Sequence, residues 1–376
     1  MKQVFVPPFP LKKAFFSHEM QEYLRTTYKR EAYRFRQIET AIFHQREIDF
    51  AAMTNLPKQM RDDLARECTI IPFHLVKCVE DEEVVKFLFA GDDGQVFETV
   101  LMYHRSTHHE SKLNRMTLCI SSQVGCAVGC TFCVTGTLGL RRNLTMPEIL
   151  GQVLYVNHYI KMKRGKKENG SWHGIRNVVY MGMGEPLMNY PNVKASVPYL
   201  TSEVYLGLSR RRVTISTSGF PHAIKTMADD KLPVSFAFSL HASTQALREE
   251  LVPFAKRFPL DELMRLCDYY TQTTGQEIFY EYVIIDAVND SDQCAHDTGK
   301  LLKGRRAHLN VIPYNESPAV TYREPSPDRV RRFQMIVKSY GVMVTIRQNR
   351  GRKSKGACGQ LGREQAKILV GKGGKR

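Results

Sequence analysis

Cys126, Cys130 and Cys133 lie in the stretch Gly125-Cys126-Ala127-Val128-Gly129-Cys130-Thr131-Phe132-Cys133. Three thiolates at C-x3-C-x2-C spacing can cap three irons of a four-iron, four-sulfur cluster and leave the fourth iron open. A structural zinc or cluster site wants four protein ligands, and the next dozen residues offer no His or Cys to complete the set. An open position suits a site built to react. A zinc knuckle or a group of packing cysteines is the blander alternative. The spacing, the following Thr135-Gly136 and the strand-to-helix context favour the cluster.

Further along the chain, Gly182-Met183-Gly184-Glu185-Pro186 offers free backbone and a carboxylate, a pair suited to holding an ammonium group. Taken alone, the Gly-x-Gly is equally a strand end that needs to turn. Ser216 and Ser239 read as ordinary strand residues when isolated, and His241 as a hydrogen-bonded structural histidine. Cys358 sits in Gly356-Ala357-Cys358-Gly359-Gln360, close to Arg352, Lys353 and Lys355. Neighbouring positive charge favours thiolate, so Cys358 is either a reactive thiol or a bystander. Cys119, just upstream of the triplet, is poorly placed to complete the iron set. Cys68, Cys78, Cys267 and Cys294 read as small buried hydrophobes.

The elements that must position these residues follow from periodicity. Ser17 precedes Met20, Tyr23, Leu24 and Tyr28 at helical spacing, and helices are expected over Arg34–Phe43 and Leu56–Leu64. Two β-rich runs around Gly91-Asp92-Asp93-Gly94 predict a hairpin over residues 82–103. The polar stretch His104–Arg115 reads as a loop. Strands are then expected at Thr117–Ser121, Ile175–Gly182, Arg212–Ser218, Pro233–Leu240, Ile278–Asp286, His308–Tyr314 and Val342–Arg347, with helices between them. One helix opens at the capping box Thr145-Met146-Pro147-Glu148 and another at Ser326-Pro327-Asp328. Such alternation implies a parallel sheet, open or wound into a full or partial barrel. In a barrel the cysteines, Glu185, Ser216, Ser239, His241 and Asn315 all fall at one rim, the C-terminal ends of the strands.

The chain of 376 residues, 43% hydrophobic and 24% charged, suits one large folded domain with a smaller companion. Its formal charge is +16. Residues 343–376 hold ten Lys/Arg against the single acid Glu364, and Lys161, Lys163, Arg164, Lys166 and Lys167 form a second cluster. Clustering of this kind points to a polyanion. The odd cysteine count, the absence of an apolar leader and of any membrane-length apolar run argue against secreted and membrane classes, so a reducing cytoplasm is expected.

Together these stretches resemble the RlmN/Cfr-type rRNA adenine methyltransferases of the radical S-adenosylmethionine (SAM) superfamily. The matching segments are Met53-Thr54-Asn55-Leu56-Pro57, Phe97-Glu98-Thr99-Val100, Cys119 to Cys126, Met181 to Leu187, Ser216-Thr217-Ser218-Gly219, Ser239-Leu240-His241, Val288-Asn289-Asp290-Ser291 and Ala357-Cys358-Gly359-Gln360-Leu361. The resemblance implies a partial (βα)6 barrel of TIM-like α/β type with a small N-terminal helical accessory domain and a β-hairpin extension. The domains expected are an accessory domain at 1–78, a hairpin and linker at 79–115, the barrel at 116–348, and a basic loop and tail at 349–376.

The implied cofactors are one [4Fe-4S] cluster on Cys126, Cys130 and Cys133, and SAM held by Gly184, Glu185, Ser216, Ser239, Leu240, His241 and Asn315. The implied reaction is methylation at C2 of adenine 2503 in 23S rRNA, and of adenine 37 in certain tRNAs. Cys358 takes a methyl group from one SAM, and a 5′-deoxyadenosyl radical from a second activates it. The carbon adds to the base, Glu98 removes the C2 proton, and Cys119 attacks sulfur to release product with a Cys119–Cys358 disulfide. A flavodoxin or ferredoxin would supply the electron, and a monomer with no membrane partner is expected. Pro186 favours C2 over the C8 chemistry of the resistance branch. A non-catalytic RNA-binding protein holding a structural metal is the alternative from another class. The loop Gly351–Gly356 departs from the family pattern, which carries Asp and Ile before the Ala-Cys-Gly.

Overall fold

The computed structural model describes residues 12–27, 32–105, 113–166, 170, 173–317, 320–347 and 360–362. Cys358 and most of the basic tail therefore lie outside the described residues.

The N-terminal module contains β1 (Lys13–Ala14), α1 (His18–Thr27), α2 (Ala32–Glu39), α3 (Lys58–Glu67) and β2 (Cys68–Thr69), with β1 and β2 paired in parallel. The Ser17 hydroxyl accepts from the Met20 N–H at 3.2 Å, which starts α1 as its sequence suggests. Aromatic packing docks the module on the rest of the chain: Phe16 meets Tyr199 at 5.4 Å and Phe43 meets Tyr205 at 4.8 Å between ring centroids.

A ten-stranded sheet organises everything else. Its antiparallel part is β3 (His74–Glu80), β4 (Val84–Ala90) and β5 (Val96–Arg105), which continues onto β6 (Leu113–Cys119). After the short pair β7 (Gln123–Gly125) and β8 (Leu140–Asn143), helices and strands alternate. They run α4 (Met146–Arg164), β9 (Asn177–Tyr180), α5 (Tyr190–Thr201), β10 (Val213–Thr217), α6 (Pro221–Asp229), β11 (Ser235–Ser239), α7 (Gln245–Leu251), α8 (Leu260–Thr274), β12 (Ile278–Ile284), α9 (Asp292–Leu302), β13 (Ala307–Pro313), α10 (Pro327–Lys338) and β14 (Met343–Ile346). The order is β14-β13-β12-β11-β10-β9-β6-β5-β4-β3, and β6 with β9–β14 is parallel throughout. Six βα units and a seventh parallel strand thus form the partial barrel. All seven expected strands are present, as is the Thr145–Glu148 capping box at the start of α4.

Two expectations change. Part of the stretch read as a loop over 104–115 is strand, since β5 runs to Arg105 and β6 starts at Leu113. His104 and Arg115 of this stretch line an open interior, where polar side chains meet water. Cys78, expected to be buried, is exposed on the edge strand β3, whereas Cys68 and Cys267 are buried.

Side chains alternate across each strand. Leu118, Val178, Ile215, Phe236, Tyr282, Leu309 and Val311 are fully buried. Ring contacts show where this face packs: Phe236 meets Tyr270 of α8 at 4.8 Å and Tyr282 meets Phe333 of α10 at 4.9 Å. The other set, including Thr117, Cys119, Asn177, Thr214, Glu281, His308, Asn310, Thr345 and Arg347, lines an open lumen.

Candidate active site

The three cysteines sit on an excursion between β7 and β8. Gly125 closes its neck at φ +76, where a Cβ would lie 1.8 Å from the Gly139 carbonyl oxygen. The Cys126 N–H donates to that same carbonyl at 3.1 Å. Inside the excursion the Cys133 N–H donates to Cys130 O and the Gly136 N–H to Cys133 O. A side chain at Gly136 would strike the Cys130 backbone at 2.7 Å, which accounts for the glycine after Thr135. The Thr131 N–H donates to Leu251 O at the end of α7, and its hydroxyl bonds Tyr322 at 2.9 Å. Val128, Phe132, Ala242, Leu251, Val252, Ala255, Ile285 and Tyr314 wrap the three thiols in an apolar shell.

Burial pushes the Cys126 thiol up to about 12 and raises Cys130 and Cys133 as well. Burial thus favours the neutral thiols, and a metal centre bound here would take them as thiolates with release of protons. Among the described residues, no group of three His, Cys, Asp or Glu side chains is gathered as one metal ion requires. All three thiols nevertheless border one cleft, together with Gly184, Glu185, Ser216, Ser239, His241 and Asn315. Three soft donors on a pinned loop, shielded by apolar side chains, fit an iron–sulfur cluster.

The glycines of Gly182-Met183-Gly184 are required by close approach. A Cβ on Gly182 would lie 2.7 Å from the Ile120 backbone, and one on Gly184, at φ +100, 2.5 Å from Gln123. The segment after β6 holds this strand end in place. The Ser121 hydroxyl accepts from Met183 N–H at 2.9 Å and Gln123 Oε1 from Glu185 N–H at 2.8 Å. Gln152 on α4 then pins Ser121 through both backbone groups. The Glu185 carboxylate accepts from Leu187 N–H at 3.0 Å and from Ser218 N–H at 2.8 Å. Burial still raises its pKa, so a cationic group in the cleft would stabilise its ionised form. Pro186 occupies the first position of the short 3-10 turn that follows, where proline suits the backbone on local grounds.

Ser216 and Ser239 face each other at 3.3 Å between hydroxyls. His241 adopts φ +56, an uncommon conformation for a non-glycine residue. Its Nδ1 accepts from Val283 N–H at 3.1 Å and its ring meets Phe132 edge-on. Burial lowers its pKa to about 3, so it is neutral. Leu240 differs from its neighbours: its side chain is buried in the main core, while its backbone N–H donates to Glu281 O.

Several residues beyond those picked from the sequence shape the cleft. Fully buried Asn289 donates to His241 O and Val283 O and accepts from Ile285 N–H, fixing the histidine. Arg248, also fully buried, donates to the carbonyls of Ser218, Ser239 and Leu240 and lies 4.9 Å from the Phe238 ring. It ties together the ends of β10 and β11. Glu281 accepts from Asn310 at 3.0 Å and faces Arg347 at 3.4 Å. A lone acid in Ile278-Phe279-Tyr280-Glu281-Tyr282-Val283 was a legible signal. Arg248 left none.

Glu98 on β5 is completely buried. Its carboxylate accepts from the Gly362 N–H at 3.2 Å and lies 3.6 Å from Lys86 Nζ. The Thr135 hydroxyl donates to Leu361 O at 2.7 Å, and Gln360 donates to Glu316 O at 2.9 Å. Residues 360–362 are thus fixed against both the cysteine loop and Glu98. Cys119 lines the lumen with Cys133, Thr135, Asn315 and Leu361.

The basic cluster near 161–167 is largely engaged internally. Lys161 pairs with Glu47 and Lys163 with Glu80, each at 2.9 Å, and Arg164 lies 4.8 Å from the Tyr103 ring. Among the described residues, no helix is long and apolar enough to cross a membrane.

Comparison with known proteins agrees with this geometry. Residues 120–296 match the Radical SAM superfamily, and residues 14–70 match the ribosomal RNA large subunit methyltransferase N-terminal domain. The chain is 42% identical over 335 residues to the dual-specificity RNA methyltransferase RlmN of Ruthia magnifica subsp. Calyptogena magnifica, covering 88% of each chain. It is 39% identical to RlmN 1 of Myxococcus xanthus (strain DK1622), covering 86% of this chain and 87% of the relative. A crystal structure of a radical SAM methyltransferase from Sphaerobacter thermophilus matches at TM-score 0.85 and 39% identity, over 94% of this chain and 99% of that one. The superfamily uses a [4Fe-4S] cluster and SAM, and the three thiols and the adjoining polar cleft fit both. By sequence over most of its length, and by fold, this chain belongs to the RlmN family of radical SAM RNA methyltransferases.

Proposed function

We propose that this protein methylates C2 of adenine 2503 in 23S rRNA and C2 of adenine 37 in some tRNAs. The observation that carries the reading is the junction at residues 360–362, which contacts the cysteine loop and buried Glu98 and whose Leu361 lines the lumen together with Cys119. The dual-specificity name of the relatives supports two classes of RNA substrate. Pro186 has a local structural reason to be proline and carries little of the regiochemical argument.

When bound, SAM and the cluster supply the methyl group and the radical that activates it. The protein's own groups do the rest. Cys358 carries the methyl carbon to the base. Glu98, shielded from water, takes the C2 proton. Cys119 attacks the Cys358 sulfur and frees the product, ordinary thiol chemistry that leaves a disulfide. Gly184, Glu185, Ser216, Ser239, Leu240, His241 and Asn315 hold the cofactor. Adenine C2 is inaccessible in a stacked duplex, so the base is unpaired or flipped. The lumen has a volume of about 640 Å³, within the roughly 300–1,000 Å³ of a usual ligand pocket, which suits a single nucleotide. The reading includes a monomer in the cytoplasm, reduced by a flavodoxin or ferredoxin.

The test is nucleoside mass spectrometry on unmodified 23S rRNA and tRNA, incubated anaerobically with reconstituted protein, SAM and a reductant. 2-Methyladenosine is expected, and Cys358→Ala should abolish it while RNA binding persists. 8-Methyladenosine would move the reaction to C8. Turnover by Cys358→Ala would remove the role given to that thiol.

A further inference from the structure

The seven parallel strands all begin at one rim, opposite the rim that carries the cysteine loop. Five arginines mark the starts of four of them: Arg115 on β6, Arg176 before β9, Arg210 and Arg211 before β10, and Arg306 before β13. All five are exposed. Arg176, Arg210, Arg211 and Arg306 make no ion pair with a described carboxylate, whereas most cations of the 161–166 cluster are already engaged. Exposed Glu277 is the acid at the start of β12, and nearby Asp268 is held by Arg305 at 2.9 Å. Arg115 and Arg211 line the lumen with Asn177, Thr214 and His308, and that lumen shares Cys133, Thr135, Glu281 and Asn315 with the cleft above it. The rim is therefore the basic mouth of an open passage leading to the cysteines.

We propose that this arginine rim is the RNA-docking surface, and that the target nucleotide enters the barrel from the strand N-termini, opposite the cysteine loop. The proposal rests on the RNA-methyltransferase reading and adds the route and the contacts. Guanidinium forks suit phosphate oxygens better than ammonium groups do. Backbone contacts at the mouth would position the strand while one flipped nucleotide enters the lumen.

The test compares Arg176→Ala/Arg210→Ala/Arg306→Ala with Lys256→Ala/Arg257→Ala, whose exposed cations follow α7 on the cysteine-loop side. Binding of an unmodified 23S rRNA fragment containing adenine 2503 is measured against salt concentration. The rim variant should bind at least about tenfold more weakly at low salt, with a slope shallower by about 0.7 for each single-strand phosphate that is no longer neutralised. Its melting temperature should match wild type. Unchanged affinity and slope in the rim variant, or a weakening seen in the Lys256/Arg257 variant instead, would overturn the proposal. The wild-type protein is assayed for methyladenosine on the same fragment. Tight binding without product would remove the functional reading itself, an outcome distinct from failure of the rim.

Discussion

The two faces of the parallel strands are made by the same seven segments, yet they do opposite work. Outward, Leu118, Ile215, Phe236, Leu309 and Val311 are fully buried. Inward, Thr117, Asn177, Thr214, Glu281, His308 and Asn310 border open space. A barrel core is ordinarily filled by branched apolar side chains. Here the interior is left open and of mixed polarity, with Val179, Phe279 and Ile312 beside the polar residues, so the outer face must hold the fold and the inner face is free for chemistry. Substitutions on the two faces should therefore separate stability from function.

The largest expected effect is on the inner side. Cys126→Ala should abolish methylation and the iron–sulfur absorbance of reconstituted protein, with the thermal midpoint of the cluster-free form unchanged. A matching drop in that midpoint would mean the thiol serves the fold. On the outer face, Phe236→Ala should cost about 3–5 kcal/mol of stability, read by chemical denaturation. Turnover per folded molecule should persist, and its loss would erase the distinction between the faces.

His241 provides a finer test. Burial holds its folded pKa near 3, below the ordinary 6.5, and the Arg248 cation pushes the same way. The unfolded chain binds a proton between those values and the folded protein does not. Stability is therefore unaffected above about pH 6.5 and falls as pH drops toward 3, by about 1.4 kcal/mol per unit. Glu185, with its raised pKa, contributes an opposite trend above the ordinary carboxylate value. Comparison with His241→Gln isolates the histidine: the variant should lack that part of the slope, and parallel curves would refute it. The smallest effect is Ser216→Ala, which removes one hydroxyl contact worth about 0.5–1.5 kcal/mol. SAM affinity should fall severalfold by calorimetry with stability untouched.

Much of this division was legible. His308-Leu309-Asn310-Val311 alternates polar and apolar residues, a pattern a parallel strand buried on both faces would not show. The capping residues Ser17, Thr145 and Ser326 marked helix starts because their hydroxyls answer local backbone donors. Edge strand β3 was not expected: its exposed run His74–Glu80 depends on β4 for pairing rather than on its own burial pattern. Asn289 and Arg248 act through carbonyls brought near by folding, and sequence spacing gives no hint of those distances. The Gly125–Gly139 neck was missed for the same reason.

The contact between Glu98 and Gly362 joins residues 264 positions apart. Synthesis proceeds at about 5–20 residues per second, so on the order of tens of seconds separate the two ends. During that interval the Glu98 acceptor oxygen has no Gly362 amide to meet. The Thr135–Leu361 contact waits as long. A chain that has not reached residue 362, or has been clipped before it, lacks both contacts. Formation of both contacts therefore records that translation has passed residue 362.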